Sequence, residues 1–155
     1  FREAVANEIR AFRESGSRFS IISFDFPMFD EFCERHGERA GVALLSRIAD
    51  LVSDQIRAQL DTVSRFNGAL FAALLPDTTR EEAMNLAIRI IDSLTRSVEL
   101  GVSIGVLEAH ATWSRDRVLR MVRRAVETAK KLPTPSISIY EEKTDSFRVM
   151  SDRRQ

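Results

Sequence analysis

The sequence predicts an α/β fold: a mixed, mainly antiparallel sheet of about five strands flanked by helices. Three observations predict it. Segments with apolar residues every three to four positions alternate with short runs rich in β-branched and aromatic residues. Two of those runs are separated only by Asn67-Gly68, the strongest short-range hairpin signal, because both residue types accept positive φ. Gly16, Gly37, Pro27, Pro76 and Pro133 punctuate the junctions.

The elements follow in order. Residues 1–15 place Val5, Ile9 and Phe12 on one helical face, and Gly16 ends the helix. Phe19 to Phe26 reads as a buried strand closed by Pro27. Met28 to Arg35 reads as a short helical turn, broken at Gly37. From Glu38 to Leu60 the residues Leu44, Leu45, Ile48, Leu51, Val52 and Ile56 recur at helical intervals and predict one long helix on the sheet. Asp61 to Phe66 and Ala69 to Leu75 form the hairpin strands. Pro76 to Thr79 ends the second of them and caps a helix over 80–97. Glu99 to Glu108 reads as a strand containing Gly101 and Gly105, and Ser114 caps a helix to about Lys131. Ser136 to Tyr140 is the last predicted strand. The domain is therefore expected over 1–141, with 142–155 a polar, frayed tail or the start of a linker.

Composition bounds the function. The chain has 155 residues and 17.6 kDa, one domain's worth, with 44% hydrophobic and 30% charged residues. Lys plus Arg and Asp plus Glu both number 23, which excludes a strongly basic nucleic-acid binder at the level of the whole domain. Apolar runs are too short to span a bilayer, and no secretory signal opens the chain. The single Cys33 cannot form an internal disulfide, which fits a reducing, cytoplasmic setting. The chain opens on an amphipathic helix without an initiator Met, as expected for a piece of something longer.

Five segments, in order and at matching spacing, resemble the GGDEF, or diguanylate cyclase, family. Ser23-Phe24-Asp25-Phe26-Pro27-Met28-Phe29 looks like the family's first strand and metal-binding turn, D-[LI]-D-x-F. His36 to Gly41 is similar to Y-G-H-x-x-G, and Arg65 to Pro76 to R-x-G-G-D-E-F-x-x-L-L-P. Val102 to Val106 matches S-I-G-V, and Ala125 to Lys130 resembles A-L-Y-x-A-K. The resemblance covers residues 1 to about 140 and implies a nucleotidyl-cyclase palm, a ferredoxin-like sandwich.

It also implies a degenerate signature. The family joins two GTP molecules into cyclic di-GMP with metal ions held by carboxylates near the phosphates. Of the metal-site positions, Asp25 remains and Phe26 offers a backbone carbonyl, but in the hairpin Asn67-Gly68-Ala69-Leu70-Phe71 the acidic pair is replaced by Ala69 and Leu70. One carboxylate is a poor cage for Mg²⁺. The base-recognition positions fall on Cys33 and Val42, a weak hydrogen-bonding group and one with none. Lys130 survives as a possible phosphate contact. The inhibitory product site, R-x-x-D, keeps its Asp as Asp61, but its Arg position is Ala58; Arg57 lies one residue off, about 100° around a helix.

Each residue also has a plainer reading. Asp25 reads first as a cap for the turn at Pro27, and otherwise as a leftover metal ligand. His36 and His110 have no companions at zinc-ligand spacing, and Cys33 reads as a small packed hydrophobe. The helix after Ser114 carries seven basic residues against Asp116 and Glu127. It reads first as a solvated face, the alternative being a surface for anions or an acidic partner. Trp113 reads as an anchor pinning its loop to the core.

Together these readings imply a catalytically inactive GGDEF domain: no catalytic residues, no metal, and Mg²⁺ only where residual nucleotide binding survives. Its expected role is that of a regulatory or interaction module in a bacterial cyclic di-GMP signalling protein. Expected partners are sensory or EAL-type domains of the same protein or a second copy, without membrane or nucleic-acid contact. The alternatives are an allosteric receptor for GTP or cyclic di-GMP, and a cyclase of residual activity.

Overall fold

In the computed structural model, which describes residues 1–151, the chain runs α1 (Arg2–Ser15), β1 (Phe19–Asp25), α2 (Phe29–His36), α3 (Glu38–Ser53), β2 (Thr62–Asn67) and β3 (Leu70–Pro76). It continues through α4 (Arg80–Ser97), β4 (Ser103–Glu108), α5 (Arg115–Lys130) and β5 (Ser136–Glu141) to a 3-10 turn at Glu142–Thr144 and β6 (Ser146–Ser151). Local chemistry sets most boundaries. Gly16 ends α1 at φ 74°, a left-handed conformation that costs a residue without Cβ little. The Thr79 and Ser114 hydroxyls accept from the backbone N–H groups of Glu82 and Arg117 at the starts of α4 and α5.

The sheet order is β2-β3-β1-β4-β5-β6. All neighbours are antiparallel except β4 and β5, which are parallel and joined by α5 as a crossover. Alternation along the strands divides the interior in two. Ile22, Phe24, Phe71, Ala73, Ile104 and Ile139 face α3 and α4, while Phe19, Ile21, Ala72, Leu74 and Leu107 share a core with α1, α5 and Trp113. Trp113, 3% exposed, is the anchor that the sequence suggests.

The α5 side of the sheet carries two transverse rows of small or polar residues. Ladder registers place Ser23, Gly105 and Ser138 abreast, then Asp25, Ser103 and Ser136. These rows let α5 lie close. Ser23 Oγ donates to the Val122 carbonyl at 3.0 Å, Ser136 Oγ to that of Ala129 at 2.6 Å, and Ser138 Oγ to that of Ala125. A Cβ at Gly105 would stand 2.4 Å from the Ala125 Cβ and 2.7 Å from backbone atoms of Ala125 and Val126. Ser103 Oγ is buried with no hydrogen-bond partner.

The fold class is as expected, with five corrections to its elements. The helix expected over 38–60 ends at Ser53; Ile56 still packs against the core, but from a turn rather than a helix. Met28 to Arg35 forms a full helix, α2, shifted one residue. The two-residue hairpin loop is Gly68-Ala69, not Asn67-Gly68. A β-bulge moves the register between Arg65 and Asn67, so that Asn67 pairs with Leu70 and the positive φ, 49°, falls on Gly68. The strand expected from Glu99 begins at Ser103, leaving Gly101 in the preceding loop. Ser146–Ser151, expected as tail, forms β6 on the free edge of β5, giving six strands. Its alternation is short, and only Phe147 and Met150 add packing to the two cores. The remaining tail residues, 152–155, lie outside the described residues. Among those described, no helix is long and apolar enough to cross a membrane.

Tyr140, the single tyrosine, sits between Trp113 and Phe147 with ring centroids 5.3 and 5.5 Å away, and its hydroxyl donates to Asp145 Oδ1 at 2.7 Å. Burial first, then the Asp145 hydrogen bond and charge, push its pKa from 10.0 up to about 12. The folded state therefore holds this proton more tightly than the unfolded one. That contribution to stability is complete below about pH 10 and is lost as pH rises toward 12. Phenolate absorbance should titrate near 12 while far-ultraviolet circular dichroism stays native; a native-state midpoint near 10 would show the ring exposed.

Candidate functional site

β1 ends, β3 begins and α5 finishes at one end of the strands. There an open groove of about 410 Å³ is lined by Asp25, Phe26, Pro27, Phe29 and Asp30, the turn Gly68-Ala69-Leu70, and Arg123, Val126, Glu127 and Lys130 of α5. A larger cleft, about 600 Å³, opens at the opposite end of the strands. Most of its polar groups are partnered: Arg18 with Glu108 at 3.4 Å, Arg80 with Glu141 at 2.6 Å, and His110 Nε2 lies 3.0 Å from Glu142 Oε1. The smaller groove is the candidate site because it collects the sequence-derived positions.

The hydrogen bond from Ser136 to Ala129 fixes the last turn of α5 over the row containing Asp25, and Lys130 meets that carboxylate. Lys130 Nζ lies 3.2 Å from Asp25 Oδ2 and 3.3 Å from Glu127 Oε1. Asp25 Oδ1 accepts the Phe26 backbone N–H at 2.8 Å. Asp25 therefore accepts from the next residue's backbone and forms one half of an ion pair. Burial works against the Lys130 ammonium, but the Asp25 charge and the hydrogen bonds to Asp25 and Glu127 outweigh it, leaving its pKa above the usual lysine value.

Ala69 is buried and Leu70 half-buried at the groove wall, where the resemblance implies a carboxylate pair. Phe71 turns inward and stacks on Phe24, centroids 5.3 Å apart. The Phe26 side chain is buried as well. The backbone of Asn67 closes the hairpin. These residues do not fit Mg²⁺. One carboxylate oxygen serves the Phe26 N–H, the other faces an ammonium, and among the described residues no three His, Cys, Asp or Glu come together.

Cys33 and Val42 do not line the groove. The Cys33 thiol lies against Gly41, where a Cβ would come within 2.4 Å of the sulfur, and Val42 is 65% exposed. Arg57 and Asp61 sit far from the groove, at the other end of β3. Asp61 accepts from the Arg57 backbone N–H at 2.8 Å and from its Nη2 at 2.6 Å. The same Nη2 donates to the Pro76 carbonyl at 2.7 Å and Thr78 Oγ1 at 3.0 Å. The pair is closed on itself. Sequence reasoning missed Asp30, Arg123 and Glu127 as groove residues; the i, i+4, i+7 spacing of Arg123, Glu127 and Lys130 was the available signal.

Comparison with known proteins places the fold in a family. The family described as "Diguanylate cyclase, GGDEF domain" matches residues 1–134. The chain is 24% identical over 137 residues to the probable diguanylate cyclase DgcI of Escherichia coli, covering 88% of the chain and 30% of that protein. It is 29% identical over 122 residues to the diguanylate cyclase TpbB of Pseudomonas aeruginosa, covering 72% of the chain and 28% of the relative. The chain thus spans under a third of the length of these two relatives. A solved GGDEF domain of TpbB (YfiN) superposes with a TM-score of 0.79 at 26% identity, over 86% of this chain and 83% of that one. The GGDEF domain of DgcB from Caulobacter crescentus, solved with c-di-GMP, shares the fold at a TM-score of 0.76 and 17% identity, over 83% and 81%. Matched over most of its length and folded as these domains are, the chain belongs to the GGDEF family.

Proposed function

We propose that this domain is a catalytically silent member of its family, serving as a regulatory or protein-interaction module in a cyclic di-GMP signalling protein, in the cytoplasm. One observation carries the reading: Lys130 occupies the cation side of Asp25 while Ala69 and Leu70 stand where further carboxylates belong. A site whose Asp25 is neutralised by its own ammonium, with apolar side chains beside it, is poorly arranged to hold a metal near phosphates. Phosphoryl transfer is positioning plus charge neutralisation, so losing the metal donors removes the chemistry rather than slowing it. No nucleotide cofactor is assigned to the groove. Partners in this reading are neighbouring sensory or EAL-type domains or a second copy, which fits relatives much longer than this chain.

The test is calorimetric titration with GTP plus Mg²⁺, then with cyclic di-GMP. No saturable heat is expected up to roughly millimolar ligand, where binding of about −4 kcal/mol would already register. Saturable GTP binding would replace this reading with a nucleotide receptor, and turnover abolished by Asp25→Asn would replace it with a residual cyclase. Binding of cyclic di-GMP alone would require the Arg57–Asp61 pair to open.

A further inference from the structure

The outward face of α5 has a composition that the groove does not explain. Arg117, Arg120 and Arg124 are exposed along it, and among the described residues none has a carboxylate within 4 Å, although the chain as a whole has a net charge of zero. Arg115 pairs with Asp116, and Lys130 turns to Asp25. Arg120 stands at i+3 from Arg117 and at i−4 from Arg124; the carboxylates within helical reach, Asp116 and Glu127, are engaged by Arg115 and Lys130, which leaves the three guanidiniums a local positive surface. Two are held in place by rings: Arg117 lies 5.0 Å from the Trp113 centroid and Arg124 5.5 Å from that of Phe147. Such guanidiniums lose less freedom when they bind.

We infer that this face docks a carboxylate-rich α-helix of a partner protein. The backbone positions of Arg117, Arg120 and Arg124 are spaced about 4.5 and 6 Å along the axis at 1.5 Å per residue. That matches carboxylates at i, i+3 and i+7 of a helix lying alongside, whereas an extended chain spaces same-side groups at about 6.6 Å or more. Single-stranded nucleic acid fits less well, because the ring faces on which bases would stack are already covered by Arg117 and Arg124. A membrane surface also fits less well. The exposed large apolar residues among those described, Met28, Val42 and Leu60, belong to other elements. The inference concerns a face separate from the groove and stands whether or not a nucleotide binds there.

The test uses fluorescence anisotropy with a labelled alanine-based helical peptide bearing Glu at i, i+3 and i+7 through three turns, beside the same peptide with Gln. The chain should bind the Glu peptide at least tenfold more tightly than the Gln peptide at about 50 mM salt, weakening steeply by 200 mM. The combined variant Arg117→Gln, Arg120→Gln, Arg124→Gln should lose at least tenfold while keeping its circular dichroism spectrum. Arg39→Gln, Arg47→Gln and Arg89→Gln together, equal in charge but on other helices, should change affinity less than twofold. Equal loss in both variants would reduce the effect to net charge and overturn the proposal. So would undiminished binding by the α5 variant, or tighter binding of a 20-nucleotide oligomer or phosphatidylserine vesicles than of the Glu peptide.

Discussion

Gly105→Val is expected to lift α5 off the sheet and remove about 3 kcal/mol or more from a total stability on the order of 5–15 kcal/mol. A side chain at this position meets the Ala125 Cβ at 2.4 Å and two backbone atoms at 2.7 Å. Backbone in the middle of a helix cannot rotate away as a side-chain tip can, so the helix must translate. Translation would stretch the three serine hydrogen bonds to Val122, Ala125 and Ala129 together. It would also separate Lys130 from Asp25, because those bonds set the height of the helix. Urea unfolding should show a much lower midpoint for Gly105→Val and a smaller loss for Gly105→Ala. A wild-type midpoint for the valine variant would mean that α5 packs more loosely than described.

Asp61→Ala should be the most damaging single change among the charged residues, at about 2–3 kcal/mol. The Asp61 side chain is 2% exposed and accepts from the Arg57 backbone N–H and guanidinium, at 2.6 to 3.1 Å. Hydrogen bonds to charged groups contribute about 1.5–3 kcal/mol. The Arg57 head is 44% exposed, so solvent offsets part of its loss. The Asp61 hydrogen bond raises the Arg57 pKa, against desolvation. Asp61→Asn retains an acceptor for the backbone N–H and should lose about half as much. Chemical denaturation measures both, and a loss below about 0.5 kcal/mol for Asp61→Ala would show the loop to be held by Ile56 and the Arg57 hydrogen bonds to Pro76 and Thr78 instead.

The contrast between these two positions indicates how far the sequence can be read. Asp61 and Arg57 are visible as a motif displaced by one residue, and the i, i+4 spacing that brings them together is legible in principle. Gly105 is visible only as a glycine in a strand. Its neighbours, Ser23 and Ser138, come from strands far apart in sequence, so the seam exists only once the sheet is ordered. Apolar periodicity located the four longer helices, α1, α3, α4 and α5, since burial on one face leaves a local trace. It overran at Leu60 because Ile56 satisfies the helical interval while reaching the core from a turn. β6 escaped because an edge strand with one working face needs little apolar sequence, and its pairing depends on β5. The groove was legible at Asp25, Ala69, Leu70 and Lys130 through the family pattern. What the pattern could not give was that the two surviving charged residues, Asp25 and Lys130, neutralise each other.

The sheet order has a consequence for how the chain is made. β1, the first strand of this domain to leave the ribosome, occupies an interior position, and its partners are β3 and β4. β4 is complete only at Glu108, roughly eighty residues after β1 ends. At about 5–20 residues per second, Phe19, Ile21, Ile22 and Phe24 wait roughly 4–17 s for the second of their two neighbours. During that interval four side chains that end fully buried are open to solvent, and chaperones compete with the growing chain to cover them.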